Sequence, residues 1–140
     1  EEAESSRLRE EYDQLFIGVG KPDVMLYGSY YLSGFLMEKP LAKLREDLLK
    51  LGLSRRQSVG EPEDHISALS ETMRLLVMGQ GHFPPASLET QKDFFHRHLE
   101  PWYRKLTAAL VENKVSEFYR RAGSFIQAFF EVETESFEIA

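Results

Sequence analysis

An amphipathic helix is predicted to begin within the segment Glu61-Pro62-Glu63-Asp64-His65-Ile66-Ser67-Ala68-Leu69-Ser70-Glu71-Thr72-Met73. Pro62 suits the first helical turn, because an N–H at that position would have no partner inside the helix. Glu63 and Asp64 place negative charge at the positive end of the helix dipole. Apolar residues then recur at helical spacing, at Ile66, Leu69, Met73, Leu76 and Val77. The segment therefore predicts a helix with one buried face.

The same periodicity predicts five or six helices in total. Residues 1–16 form a helix whose end carries Tyr12, Leu15 and Phe16 on a single face. Residues 40–51 form a second helix, which begins at a proline and stops at a glycine. Ser87 can cap a further helix, with Leu88, Phe95 and Leu99 pointing inward. The next helix begins at Pro101 and breaks at Asn113.

The last helix follows Ser116, and its predicted inward face is Phe118, Ala122, Phe125, Ile126 and Phe129. Residues 131–138 are expected to fray. Residues 24–38 are aromatic and contain two glycines, so they are predicted to form a packed connector without regular structure. The apolar side chains of this connector could also form the wall of a peptide groove. The resulting expectation is an all-α fold, a single globular helical-bundle domain over residues 1–140.

Composition limits the class of protein. The 140 residues contain 42% hydrophobic and 29% charged residues, which is typical of a soluble globular domain. Cysteine is absent, so disulfides and cysteine-based zinc sites are excluded. The net charge of −6 argues against nucleic acid as a partner and is compatible with a basic peptide. The sequence has no apolar run of membrane-spanning length and no basic signal-peptide start, so no direct membrane insertion is expected.

Common catalytic and metal-binding patterns are missing. His96 and His98 lie two residues apart and would face different sides of a helix, so no metal site is predicted. The motifs of zinc proteases and serine hydrolases do not occur. Asp64 beside His65 could orient an imidazole, but adjacent helical residues rarely point together and no third group is evident. We therefore predict no catalytic residue and no cofactor.

Two short motifs in loops are interpreted as ordinary loops. Gly18-Val19-Gly20 lacks the preceding strand and the further residues of a nucleotide-binding loop. Ser54-Arg55-Arg56-Gln57-Ser58 looks like a twin-arginine export motif. It lies in the middle of the chain and is followed by a polar segment instead of an apolar one, so it is predicted to be an exposed loop.

Five segments, in the same order, resemble a known family. They are Leu15-Phe16-Ile17-Gly18, Tyr27-Gly28-Ser29-Tyr30-Tyr31-Leu32, Glu61-Pro62-Glu63-Asp64-His65, His98-Leu99-Glu100-Pro101-Trp102 and Phe118-Tyr119-Arg120. The resemblance is to the TorD/DmsD/NarJ family of cytoplasmic redox-enzyme maturation chaperones, and it extends over roughly residues 12–130. Members of that family carry further helices before this region, so the chain is expected to lack the family's N-terminal helices.

The resemblance implies a cytoplasmic chaperone that is not an enzyme. Its partner would be the twin-arginine signal peptide, or an N-terminal segment, of the apo catalytic subunit of a molybdenum oxidoreductase. The chaperone would assist cofactor insertion and proofreading before export or assembly. The family's peptide-binding positions correspond here to Tyr12, Leu15, Phe16, Gly28, Pro62, Asp64 and His65. Some members have a tryptophan where this chain has Gly20, so that contact is absent.

The chemistry of such a peptide suggests how it would bind. Asp64, Glu61 and Glu63 could supply carboxylates to its guanidinium groups, beside an apolar wall from residues 12–16 and 27–31. Two other classes of function stay open. One is a helical interaction or oligomerisation module that forms homodimers by domain swapping. The other is an enzyme whose turnover is lost when Asp64 is replaced by Asn or His65 by Ala.

Overall fold

The chain forms seven α-helices, one more than the upper number expected from local sequence signals and apolar periodicity. The structure is a computed structural model that describes residues 1–140, and it contains no β-strand. The α-helices are α1 (Glu2–Tyr12), α2 (Gly28–Ser33), α3 (Lys39–Lys50), α4 (Ile66–Met78), α5 (Leu88–His98), α6 (Tyr103–Glu112) and α7 (Glu117–Ile139). A π-helical turn, Asp13–Ile17, continues α1. The predicted all-α class is confirmed. No helix has both the length and the apolar character needed to cross a membrane.

Helix caps appear where short polar residues predicted them. The Ser87 hydroxyl accepts a hydrogen bond from the Thr90 N–H at 3.2 Å and starts α5. The Ser116 hydroxyl accepts from the Tyr119 N–H at 3.2 Å and starts α7. Asn113 ends α6, and its side-chain oxygen accepts from the N–H of Ser116 at 2.8 Å. These local contacts confirm the predicted starts of α5 and α7 and the predicted end of α6, whereas α6 begins at Tyr103, two residues after the predicted Pro101.

One apolar core joins the helices. It contains 17 buried residues, and its largest fully buried side chains are Trp102, Tyr103 and Phe95. The most extensive helix pairing is between α6 and α7. This pairing depends on Gly123, where an added Cβ would lie 2.6 Å from the Leu110 Cβ. The two backbones therefore approach each other closely at this point.

The predicted inward face of α7 is wrong for its three phenylalanines, whereas Ile126 does pack against the core. Phe118, Phe125 and Phe129 are 54%, 71% and 51% exposed. The buried face is one step around the helix, at Gly123, Phe130, Thr134 and Phe137. The close approach at Gly123 turns this less apolar face toward α6.

The helix also continues to Ile139, so the predicted fraying is wrong, because Phe137 is 4% exposed and anchors the last turns. Leu88, predicted to point inward, is 52% exposed.

The connector over residues 24–38 contains a short helix, α2, which the prediction missed. The Asp64 carboxylate caps α2 from a distant part of the sequence, because its Oδ2 accepts from the Ser29 N–H at 2.8 Å. Gly34 ends α2 with a φ of 82°, and its N–H bonds to the Tyr30 carbonyl. The helix-forming signal therefore comes from tertiary structure, and a local reading of two glycines could not find it.

The predicted start of α4 at Pro62 is also wrong. The helix begins at Ile66, with His65 as the N-cap and Pro62 in the preceding turn. His65 has extended backbone angles (φ −62°, ψ 137°), and its Nδ1 accepts from the Ser67 N–H at 3.1 Å. Hydrogen bonds to residues 26–28 hold this extended conformation and exclude an earlier helix start.

Candidate functional site

Two segments that are far apart in the sequence pair through their backbones. The Gly28 N–H donates to the Asp64 carbonyl at 3.0 Å, and the Ile66 N–H donates to the Leu26 carbonyl at 2.9 Å. Together these bonds form an antiparallel bridge between Tyr27 and His65. Two of the segments singled out in the sequence are therefore in direct contact.

Asp64 is at the centre of this contact. It is 4% exposed, and its Oδ2 caps α2 through Ser29. Its Oδ1 is the only buried side-chain polar atom without a hydrogen-bond partner. A buried acceptor without a donor is unusual in folded proteins. The carboxylate therefore has one structural role and one unused acceptor.

Replacing Asp64 by Ala is expected to lower the free energy of unfolding by about 1–3 kcal/mol, because the buried Ser29 N–H loses its acceptor. Asp64→Asn keeps an oxygen for that N–H and should stay within about 1 kcal/mol of the parent. Urea denaturation followed by circular dichroism measures both variants. If Asp64→Ala and Asp64→Asn lowered the free energy of unfolding equally, the capping role of Asp64 would be contradicted. The contribution of Asp64 to stability would then come from its charge.

The side chains of the two bridge residues, Tyr27 and His65, contact each other, and Tyr27 also contacts Glu61. The Tyr27 hydroxyl donates to the Glu61 carboxylate, and the Tyr27 ring meets the His65 ring edge-on with centroids 5.2 Å apart. Burial raises the pKa of Tyr27, and the hydrogen bond to Glu61 and the charges of Glu61 and Asp64 raise it further. Burial lowers the pKa of His65 despite the neighbouring carboxylates Glu61 and Asp64. His65 is therefore neutral at pH 7, as the hydrogen bond accepted by its Nδ1 requires.

The aromatic residues at the end of α1 form a separate cluster. The Phe16 ring lies 5.0 Å from the Tyr12 ring and 5.0 Å from the Tyr119 ring of α7. Leu15 is fully buried, and its carbonyl accepts from the Val24 N–H at 2.9 Å. Tyr12 is 39% exposed. Its hydroxyl is among the groups that raise the pKa of Tyr27, so Tyr12 lies near Tyr27.

Gly28 lies directly against Trp102. An added Cβ on Gly28 would come within 2.9 Å of the Trp102 Nε1, which itself donates to the His98 carbonyl at 2.6 Å. Tyr31 stacks on the Trp102 ring with centroids 5.5 Å apart. The absence of a side chain at Gly28 therefore lets α2 approach α6.

A cleft of about 370 Å³ lies between the end of α3, the loop of residues 53–60 and one side of α4. We call it the acidic cleft. Its carboxylates are Glu61, Glu63 and Glu71, and His65 also lines it. Its apolar lining residues are Leu48, Leu53, Val59, Ala68 and Leu75. Arg45 of α3 donates to Glu63 at 3.0 Å. The acidic cleft thus combines negative charge with an apolar surface.

The sequence-predicted site residues take different positions around this cleft. His65 lines it. Asp64 and Gly28 are buried behind it in the bridge, and Pro62 is in the turn that leads to His65. Tyr12, Leu15 and Phe16 belong to the aromatic cluster. Sequence reasoning missed Glu71 and the apolar lining, although Ala68, Thr72 and Leu75 follow helical spacing on one side of α4.

Histidine and carboxylate side chains form no group of three or more that could hold a metal ion. His98 is bonded through its Nε2 to Asp47 Oδ2 at 2.9 Å. His96 pairs separately with Glu100. These two histidines, which the sequence places close together, are each engaged in a structural contact.

Comparison with known proteins identifies the family of the chain. The family model described as nitrate reductase delta subunit matches residues 1–108. The chain belongs to the nitrate reductase delta subunit family. This family contains the NarJ and TorD proteins, so the resemblance inferred from the sequence is confirmed.

Several relatives of this family carry the name chaperone protein TorD. The protein from Vibrio cholerae serotype O1 (strain ATCC 39541) is 25% identical over 128 residues, which cover 87% of this chain and 58% of the relative. The protein from Vibrio atlanticus is 24% identical over 135 residues, 91% of this chain and 63% of the relative. The chain thus spans about three fifths of the length of these relatives. Their name agrees with the prediction that this chain is not an enzyme.

Proposed function

We propose that this chain is a cytoplasmic chaperone for the catalytic subunit of a molybdenum oxidoreductase. It binds the twin-arginine signal peptide, or a related N-terminal segment, and holds the apo subunit until the cofactor is inserted. Export or membrane assembly is thereby delayed. Membership of the nitrate reductase delta subunit family and the chaperone name of the relatives support this role.

The acidic cleft is the observation that carries the proposal. A twin-arginine segment joins two guanidinium groups to an apolar run, and the cleft offers both kinds of complement. Glu61, Glu63 and Glu71 provide carboxylates, which bind guanidinium groups through short charge-assisted hydrogen bonds. Leu53, Ala68 and Leu75 provide apolar surface for the residues that follow.

The predicted peptide-binding residues take two roles in this proposal. His65, neutral and beside Glu61, contacts the peptide directly. Asp64, Gly28 and Leu15 are buried, so they position the backbone around the cleft. Tyr12 and Phe16 form a separate aromatic surface near Tyr27, and Pro62 fixes the turn before His65.

Replacing Glu61 and Glu63 together by Gln is expected to weaken binding of a synthetic twin-arginine signal peptide at least about tenfold. A single hydrogen bond to a charged group contributes about 1.5–3 kcal/mol, and tenfold corresponds to about 1.4 kcal/mol. Titration calorimetry measures the affinity. A peptide with Lys-Lys in place of Arg-Arg should also bind weakly, because an ammonium group cannot make the bidentate contact.

The matched control is Glu135→Gln with Glu138→Gln on α7. This pair removes the same charge from exposed positions outside the acidic cleft, so it should leave the affinity nearly unchanged. If both double variants weaken binding equally, the peptide responds to net charge alone and the cleft is not its site. A parent protein that binds Arg-Arg and Lys-Lys peptides equally would also contradict the proposal.

A second candidate function is self-association, which the exposed aromatic face of α7 favours. Phe118, Phe125 and Phe129 are each more than half exposed, and adjacent exposed aromatic residues often mark contact surfaces. Sedimentation would then show a mass that rises with concentration in protein that has no affinity for signal peptides. A constant monomer mass would remove this candidate.

A further inference from the structure

The loop between α3 and α4 contains an arginine pair that the proposed function does not use. Its sequence is Ser54-Arg55-Arg56-Gln57-Ser58, which has the Ser-Arg-Arg order of a twin-arginine motif. The prediction of a plain exposed loop is incomplete, because Ser54, Arg55 and Arg56 all line the acidic cleft. The chain thus places its own arginine pair at the site proposed for the arginine pair of a partner.

Arg55 contacts the carboxylate side of the cleft directly. Its Nη1 donates to the Glu61 carbonyl at 3.3 Å, and its Nε lies 3.9 Å from Glu63 Oε1. Burial alone would raise the pKa of Glu63, but hydrogen bonding from Arg45 and the charges of Arg45 and Arg55 lower it overall. Glu63 is therefore ionised and already faces a guanidinium in the free protein.

The loop also brings one apolar side chain to the cleft. Val59, three residues after Arg56, lines the cleft as an apolar residue. The Val59 N–H donates to the Arg56 carbonyl at 3.0 Å and closes a turn that keeps both residues at the cleft. The loop thus presents a basic pair and then a single apolar side chain, in place of the longer apolar run of a twin-arginine segment.

We propose that the loop of residues 54–60 is an internal ligand of the acidic cleft, which a partner's arginine pair must displace. This inference rests on the proposed function, because it concerns the same site. Arg55 stays beside the Glu63 carboxylate while no partner is bound, so weakly basic peptides gain little by binding there. A partner with a full arginine pair and a longer apolar run replaces the contacts of Arg55 and adds its own.

The first test is the double variant Arg55→Lys with Arg56→Lys, which keeps the net charge and removes both guanidinium groups. The loop contacts are partly exposed, and pairs of this kind change affinities by about two- to fivefold. We expect the variant to bind a synthetic Arg-Arg signal peptide tighter by this factor in titration calorimetry. The matched control is Arg120→Lys with Arg121→Lys, the arginine pair of α7, which should leave the affinity unchanged.

The second test is hydrogen exchange at the Val59 amide of the parent protein. Displacement of the loop releases Arg55 from Glu61 and Glu63, and the turn closed by the Val59–Arg56 hydrogen bond then opens more often, so exchange at Val59 should become faster when the peptide is added. Unchanged or slower exchange would overturn the inference, because the peptide would then bind without moving the loop.

The outcomes separate the inference from the function on which it rests. If the parent protein binds the Arg-Arg peptide and the Arg55/Arg56 variant binds it equally or more weakly, the internal ligand is overturned and the proposed function stands. If neither protein binds any twin-arginine peptide, the proposed function is overturned, and the inference with it. If the control variant Arg120→Lys with Arg121→Lys also bound the Arg-Arg peptide more tightly, the gain in affinity would not be specific to the loop. The internal-ligand proposal would then be overturned.

Discussion

Replacement of Trp102 by Ala is expected to lower the free energy of unfolding by about 3–5 kcal/mol, the range for a buried Trp or Phe truncated to Ala. Trp102 is 1% exposed and fills the space between Tyr31, Gly28 and the start of α6. Its removal leaves a cavity under α2, and the His98 carbonyl loses the indole N–H at 2.6 Å. A loss of this size is a large part of the stability of a typical domain.

Trp102→Phe is the matched variant. This variant keeps an aromatic ring beside Tyr31 and removes only the indole N–H. It should therefore lower the free energy of unfolding by about 1–2 kcal/mol. Circular dichroism in urea is the suitable measurement, because Trp102 is the only tryptophan and fluorescence would lose its probe. A Trp102→Ala loss below about 1 kcal/mol would mean that the contact between α2 and α6 contributes little to stability.

Local signals were sufficient for α3, α5 and α6. α3 begins beside Pro40 and ends before Gly52, α5 follows its cap Ser87, and α6 ends at Asn113, so these boundaries follow from a few neighbouring residues. The start of α4 could not be predicted in this way. Pro62 and Glu63 favour a helix locally, but the backbone bonds between residues 26–28 and 64–66 oppose it.

The candidate site, like the fold, could be predicted from the sequence only in part. Glu61, Glu63 and His65 could be identified from the sequence, since they adjoin each other in a recognisable segment. The buried position of Asp64 could not, because it follows from pairing with Ser29, 35 residues away. The contact of Arg55 with Glu63 was also hidden, since only the folded loop brings the arginine pair to the acidic cleft.

The orientation of α7 leads to the second large prediction, which compares two adjacent phenylalanines. Phe130 is 5% exposed and packs against the rings of Phe95 and Tyr103. Phe130→Ala should therefore lower the free energy of unfolding by about 3–5 kcal/mol. Phe129 is 51% exposed, so Phe129→Ala should cost less than about 1 kcal/mol.

Urea denaturation of the two variants is a direct test of the helix face, since they have the same composition and adjacent positions. Neighbouring residues on an α-helix differ in direction by about 100°, so both cannot face the same core. A larger loss for Phe129→Ala than for Phe130→Ala would restore the face predicted from the aromatic stripe and would require α7 to be rotated by about this angle. Such a rotation would move Gly123 away from Leu110 and remove the reason for a glycine at that crossing.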